Sequence, residues 1–230
     1  YPALIVNSGN LLFATDTLPA DSVEAAKITA NGVIEATRKT GGTLAGVGSR
    51  DLSAGLAFLR PYHQPPDFTW LSLNLVDPKT NAPMFAPVTW RRVNGLTIAV
   101  LALTDHTAVT DQAGDIRAIA WQESLKAALA TVQGKADFIL LLSNYSLTEN
   151  KAMARTHDAI DLILQSGHAT GNMTPLLVNK TVIAQTEIRG KYLGVLDIDW
   201  NGHARCSELT PPSGSSAALG DSLISTYINR

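Results

Sequence analysis

The chain has 230 residues, of which 45% are hydrophobic and 17% are charged, and its formal net charge at pH 7 is −2. This composition is typical of a globular α/β protein and excludes a largely disordered chain. Because there is no basic stripe and no apolar run of about 20 residues, neither nucleic-acid binding nor membrane insertion is expected. The single cysteine, Cys206, excludes an internal disulfide and a cysteine-based metal cluster, and its most economical interpretation is a plain small residue.

The first half of the chain alternates strand-like and helix-like segments. Residues 20–40 predict a helix, because apolar residues recur at roughly helical spacing until Gly41-Gly42. The dipeptide Asn94-Gly95 is the strongest short hairpin signal and predicts a turn between two strands. Strands are predicted at residues 3–6, 43–47, 68–75, 88–93 and 96–103.

The second half continues this alternation. Helices are predicted at residues 116–132, 149–157 and 221–228. Strands are predicted at residues 136–142, 160–164, 175–184 and 192–200. Hairpins mixed with crossovers predict an α/β fold in which helices pack outside two stacked sheets, and no repeat or linker divides residues 1–230.

Polar loops follow several of the predicted strands. They are residues 6–10 (VNSGN), 47–51 (VGSRD), 141–145 (LLSNY) and 165–170 (QSGHAT). In the last loop His168 comes directly after a tight turn at the end of a buried strand, as many metal-binding histidines do. The second ligand that such a site would place two residues further on is Thr170.

These loops, with residues 73–104 and 183–199 between and after them, resemble the metallophosphoesterase (calcineurin-like) domain of the secreted and periplasmic 5'-nucleotidase family. The resemblance implies a four-layer α/β/β/α sandwich of two mixed sheets flanked by helices, formed by residues 1–230 as a single domain. The family's first motif, a D-x-H on the first strand, would lie before Tyr1. The first strand is therefore expected to be absent, and the chain could be a fragment or subunit of a larger protein. The matching non-catalytic positions include Asn74, Pro83, Phe85, Pro87, Asn94, Gly95, Gly167, Tyr192, Leu193 and Gly194.

The resemblance also locates the family's catalytic positions, and most of them carry other residues here. Family enzymes hold two divalent metals with Asp, Asn and His ligands, and the metals activate a water molecule and clamp the phosphoryl oxygens. The corresponding positions of this sequence are Asn10 for the bridging Asp, Ser49 for the Asn ligand, Asn144 for one His, and His168 and Thr170 for the last His pair.

The replacements predict that no dinuclear metal centre forms. Asn10 is neutral where a bridging carboxylate would bring two dications together, and Ser49 and Asn144 are weak ligands. Only His168 keeps its ligand chemistry, and it is also compatible with a hydrogen-bonded structural histidine. Arg50 adds a positive charge that opposes cation binding.

Two further groups of side chains have their own interpretations. Arg50 takes the position of the family's transition-state histidine and Asp51 that of its acidic partner. Arg50 is thus a candidate anion-binding residue, although an ion pair with Asp51 or filling of the vacated metal pocket also accounts for it. Asp105, His106 and His168 could form a replacement metal cluster if the fold brings them together.

We therefore expect a degenerate phosphoesterase domain that acts as a binding or structural domain in a larger extracytoplasmic assembly. The alternative is a metal-dependent hydrolase of nucleotides or other phosphate esters that uses Mn, Zn, Fe or Ca in an altered site. The sequence does not decide whether the chain is an enzyme. A periplasmic or extracellular location is expected, with a signal peptide removed, because the chain begins with Tyr1. A protein partner or a missing N-terminal segment is expected to cover the first-strand position.

Overall fold

The structure is a computed structural model that describes residues 3–62, 67–109, 114–166, 173–186, 194–200, 205–206 and 223–229. In chain order its strands are β1 Ala3–Asn7, β2 Thr43–Gly46, β3 Phe68–Leu71, β4 Leu75–Val76, β5 Val88–Val93, β6 Leu96–Leu103, β7 Arg117–Ala118, β8 Phe138–Ser143, β9 Leu162–Gln165, β10 Met173–Val178, β11 Thr181–Gln185, β12 Gly194–Trp200, β13 Arg205–Cys206 and β14 Leu223–Asn229. Its helices are α1 Val23–Lys39, α2 Leu56–Leu59, α3 Trp121–Val132 and α4 Leu147–Thr156.

Twelve of the strands form two six-stranded sheets. The first has the order β13-β12-β14-β1-β2-β3 and the second the order β10-β11-β9-β8-β6-β5, while β4 and β7 pair separately. Strands β1, β2 and β3 are parallel neighbours, and so are β6, β8, β9 and β11. The hairpin predicted at Asn94-Gly95 joins β5 to β6, and Asn94 has the positive φ of 50° that such a turn requires.

The two sheets pack face to face through a core of aliphatic side chains. Strand β6 shows the arrangement, because successive side chains of a strand point to opposite faces. Ile98, Val100 and Ala102 join the cluster between the sheets, together with Val6 and Leu44 of the first sheet. This cluster is the hydrophobic core between the two sheets of the sandwich.

Helices cover the two outer faces. The alternate β6 residues, Ala99 and Leu101, pack with Leu125 and Leu129 of α3 and with Met153 of α4. On the outside of the first sheet, residues of α1 pack against β2 and β3; this cluster includes Ala30, Ile34, Ala45, Phe68 and Trp70. The predicted α/β/β/α sandwich of two mixed sheets flanked by helices is therefore confirmed.

Two predicted helices are wrong in extent or type. The helix predicted at residues 116–132 begins only at Trp121, because residues 117–118 pair with β4 and the Ile119 N–H donates to the Asn74 carbonyl. The closing helix predicted at residues 221–228 is strand β14. Its sequence LISTYIN is rich in β-branched and aromatic residues, which favour a strand.

Strand β14 is a neighbour of β1 in the first sheet. It lies between β12 and β1, antiparallel to β1 and parallel to β12, so β1 is paired on both sides. In the described residues, no helix combines the length and hydropathy needed to cross a bilayer.

Candidate functional site at the strand ends

The polar loops predicted from the sequence meet at one edge of the sandwich. The carboxyl ends of β1 and β2 belong to the first sheet and those of β6, β8 and β9 to the second. Hydrogen bonds join the two groups: Thr104 Oγ1 donates to the Val47 carbonyl at 2.7 Å and Ser166 Oγ donates to the Ser8 carbonyl at 2.8 Å. The loops therefore form one continuous surface across both sheets.

The turn after β2 is organised around the buried carboxylate of Asp51. This side chain is fully buried and accepts backbone N–H groups from Asn10 at 2.8 Å, Gly48 at 2.8 Å and Leu12 at 2.9 Å. Burial raises the pKa of Asp51 to about 6, against the opposing effect of these hydrogen bonds. Asp51 thus ties the loop after β1 to the turn after β2, and the suggested ion pair between Asp51 and Arg50 is wrong.

The amide of Asn10 is turned toward the protein. Asn10 has a φ of 59°, and its Oδ1 accepts the Arg50 N–H at 3.1 Å, while its Nδ2 lies 3.5 Å from the Ser166 carbonyl. The contact with the turn is close, because a Cβ added at Gly48 would lie 2.3 Å from both Asn10 N and Asn10 Oδ1. Glycine at 48 is what permits this approach.

The amide of Asn144 makes the same kind of contact from the second sheet. Asn144 follows β8, is only 3% exposed, and its Oδ1 accepts the Ser49 N–H at 2.9 Å. A backbone N–H can only donate, so these two contacts assign the oxygen and nitrogen of both amides. The side-chain oxygens of Asn10 and Asn144 face the turn, and their NH₂ groups lie on the other branch.

Arg50 has a partner that the sequence analysis did not identify. Its Nε lies 3.8 Å from Asp16 Oδ2, and each of these side chains is about one-third exposed. Asp16 Oδ1 in turn accepts the Ser49 hydroxyl at 2.9 Å. No motif marks Asp16, which lies in a polar loop between β1 and α1, so only the tertiary structure reveals its place in the site.

The side chains of Asn10, Ser49 and Asn144 offer neutral oxygens, which are weaker ligands for a pair of divalent metals than carboxylates or imidazoles. The oxygens of Asn10 and Asn144 already accept backbone N–H groups, and the positive charge of Arg50 lies on the same turn. Across the ranges that the structure describes, no group of three or more His, Cys, Asp or Glu residues could hold a metal ion. His63, His168 and Thr170 lie outside those ranges.

The structure describes two of the three residues of the predicted replacement metal cluster, Asp105 and His106. Asp105 Oδ1 and His106 Nδ1 are 4.0 Å apart, and Asp105 Oδ1 accepts the Thr107 N–H at 2.9 Å and its hydroxyl at 2.8 Å. His106 Nδ1 also lies 2.9 Å from the Tyr145 hydroxyl. Burial first, and then the nearby Asp105 and Glu149 charges, raises the pKa of Tyr145 to about 12, against hydrogen bonds that lower it. The third predicted member, His168, lies outside the described residues.

Comparison with known proteins adds a relative and a set of similar structures. No protein-family profile matches the chain. It is 33% identical over 135 residues to YunD, an uncharacterized metallophosphoesterase of Bacillus subtilis; the match covers 57% of this chain and 29% of YunD. The sulfate thiohydrolase SoxB of Thermus thermophilus superposes with a TM-score of 0.68 at 18% identity, covering 80% of this chain and 33% of SoxB.

A 5'-nucleotidase precursor from Thermus thermophilus gives a TM-score of 0.65 at 15% identity, covering 82% of this chain and 40% of that protein. This chain has the metallophosphoesterase fold. The resemblance noted in the sequence is confirmed, at the level of the fold and of a metallophosphoesterase homologue. The chain spans about a third of the length of these relatives, and the activities that their names give are theirs.

Proposed function

We propose that this metallophosphoesterase-fold domain does not assemble a dinuclear metal centre and serves as a non-catalytic binding or structural domain. The observation that supports this most directly is the orientation of two amides. Asn10 and Asn144 point their oxygens at the N–H groups of Arg50 and Ser49, so each oxygen already accepts one hydrogen bond and has one lone pair left for a metal.

The energetics favour this closed arrangement. For either amide to rotate toward a metal, a backbone N–H in a mostly buried turn would lose its acceptor, which costs about 1–3 kcal/mol per group. A neutral amide oxygen binds a divalent metal with a smaller gain in free energy than a carboxylate or an imidazole does. Arg50 on the same turn adds a positive charge that opposes a pair of dications, and the neighbouring Asp16 offsets part of it.

Metal content and activity test the proposal together. The purified chain is analysed for Mn, Zn, Fe and Ca by mass spectrometry, before and after incubation with each metal and desalting. We expect well under one equivalent of metal, and no hydrolysis of a generic phosphate ester above buffer. One or more retained equivalents together with turnover would refute the proposal.

The alternative function is a metal-dependent hydrolase of nucleotides or other phosphate esters with an altered site. It is favoured by the contact between Asp105 and His106 at the strand ends and by the homologous metallophosphoesterase. The variants His106→Ala and His168→Ala distinguish the two functions. If the alternative holds, both lose the metal and the activity that the wild-type chain shows.

Location and partners form a further part of the proposal. We place the domain in the periplasm or outside the cell as part of a larger assembly. Its resemblance to secreted and periplasmic nucleotidases supports this placement. Fractionation of cells that express the complete natural protein tests the location. Recovery of the protein in the cytoplasmic fraction, or as a monomer without partners, contradicts it.

A further inference from the structure

Strand β5, residues Val88–Val93, is the terminal strand of the second sheet in the part of the chain that the structure describes. An edge strand presents unpaired N–H and C=O groups with which a second copy of the chain can pair. We propose that the guanidinium of Arg91 caps the open edge of β5 and so prevents two copies of the chain from pairing there. This inference concerns self-association and does not depend on the proposed function.

The register of the hairpin shows which backbone groups of β5 face the open edge. The strand residues that flank the two-residue turn form a hydrogen-bonded pair, and bonded and non-bonded pairs alternate along an antiparallel ladder. Trp90 and Arg92, which are in non-bonded pairs, therefore direct their N–H and C=O groups away from β6. The contacts of Thr97, opposite Arg92, agree with this register, because its N–H donates to Asp137 Oδ2 at 2.7 Å and its carbonyl accepts the Asp137 N–H at 2.8 Å.

The Trp90 carbonyl at this edge is bonded to the side chain of Arg91. Arg91 Nη1 donates to the Trp90 carbonyl at 3.0 Å and to Thr89 Oγ1 at 3.2 Å. Arg91 lies opposite Ile98, whose side chain belongs to the cluster between the sheets, so the Arg91 side chain begins on the inner face of β5. An inward-pointing charge is one of the features by which proteins protect edge strands from pairing with another chain.

A second copy of the chain fits this edge best in one register. An antiparallel copy centred on Trp90 would exchange both backbone hydrogen bonds between the two Trp90 residues and place their indoles against each other. Trp90 is 41% exposed, so this contact would bury apolar surface. A register centred on Arg91 would instead set two arginines opposite each other, which is unfavourable. The Trp90 carbonyl that Arg91 occupies is thus the acceptor that the favoured register needs.

Sedimentation velocity of the chain over a series of protein concentrations tests the inference. Arg91→Thr removes the guanidinium and introduces a residue that favours strands. We expect its apparent dissociation constant for self-association to be at least about tenfold lower than that of the wild type, because each copy frees a carbonyl and loses a charge at the contact. Arg92→Thr is the matched control, since it removes the same charge from the next residue, whose side chain contacts no edge carbonyl among the described residues. It should sediment as the wild type does.

A double variant, Arg91→Thr with Trp90→Pro, separates edge pairing from aggregation of a destabilised chain. Proline at position 90 removes the N–H that faces the open edge and leaves the ladder to β6 intact, so this variant should sediment as the wild type does. Circular dichroism melting confirms that each variant is folded. Folded Arg91→Thr that associates no more than the wild type overturns the inference, and so does equal association of Arg92→Thr. Association that persists in the double variant also overturns it, because another surface would then be responsible.

Discussion

The loops after β1 and β2 and the loops after β6 and β8 form two halves of one surface, and the two halves have different chemistry. Around the ends of β1 and β2, side chains and backbone satisfy one another in a network centred on the buried Asp51. Around the ends of β6 and β8, ionisable side chains remain beside one another, with His106 between Asp105 and Tyr145. The comparison teaches that one half of this surface is held by internal hydrogen bonds to a single buried carboxylate, while the other half places ionisable side chains in contact with one another.

The largest expected effect tests whether Asp51 holds the first half together. Asp51→Ala leaves three backbone N–H groups without an acceptor, and we expect the free energy of unfolding to fall by about 4 kcal/mol. Urea denaturation measures this. The control is Asp77→Ala, because Asp77 also accepts two backbone N–H groups but in an exposed turn, where water replaces it. The control should lose far less stability, and equal losses would contradict the role of Asp51.

The pH dependence of the free energy of unfolding is a second test of the role of Asp51. Burial raises the folded-state pKa of Asp51 from 3.8 to about 6, so the folded chain binds more protons than the unfolded chain between these values. The free energy of unfolding should therefore fall as pH rises from about 4 to 6, by about 3 kcal/mol in total. Urea denaturation of the wild type and Asp51→Asn across this range isolates the effect. A difference between them that does not change with pH would show that Asp51 does not titrate there.

In the second half, the contact between His106 and Tyr145 is expected to contribute less. Tyr145→Phe removes a hydroxyl at hydrogen-bond distance from His106 Nδ1 and should cost about 1 kcal/mol. A double-mutant cycle with His106→Ala, measured by urea denaturation, separates the coupling between the two residues from their other contacts. Strict additivity of the two substitutions would show that the hydrogen bond contributes nothing to stability.

The smallest effect belongs to the Asp16–Arg50 pair. Both side chains are about one-third exposed and 3.8 Å apart, so screening by solvent keeps the interaction weak. Asp16→Asn should change the free energy of unfolding by about 0.5 kcal/mol or less at moderate salt. A loss several times larger in urea denaturation would mean that the ion pair, and not the amide network, supports the turn.

Much of the sandwich could be predicted from the sequence, because buried strands have local signals. Alternation in β6 and the Asn94-Gly95 turn depend on neighbouring residues only. The closing strand β14 was missed, since a short segment of mixed apolar and polar residues can pair as a strand or pack as a helix depending on what lies beside it. The start of α3 was missed for a similar reason, because Asn74, far along the chain, holds residue 119 out of the helix.

The candidate site was predictable in position but not in its contacts. The resemblance placed Asn10, Ser49, Arg50 and Asn144 together, and the structure brings Asn10 and Asn144 into contact with the turn that carries Ser49 and Arg50. It could not show that Asp51 binds backbone N–H groups instead of Arg50, or that Asp16 is the partner of Arg50. Most of these contacts join residues 30 or more positions apart, which spacing alone cannot relate. The absence of metal at Asn10, Ser49, Asn144, His168 and Thr170 stays a prediction.

By itself, the sequence determined the layered α/β architecture and the neutral chemistry of Asn10, Ser49 and Asn144 at the strand ends, since hydropathy patterns and residue chemistry are local properties. Only the tertiary structure decided which way each amide points. That direction depends on which backbone N–H groups the folded chain places beside it, and the two sheets must pack before those groups meet. The direction of the two amides, more than their identity, determines which of their atoms hold the turn after β2.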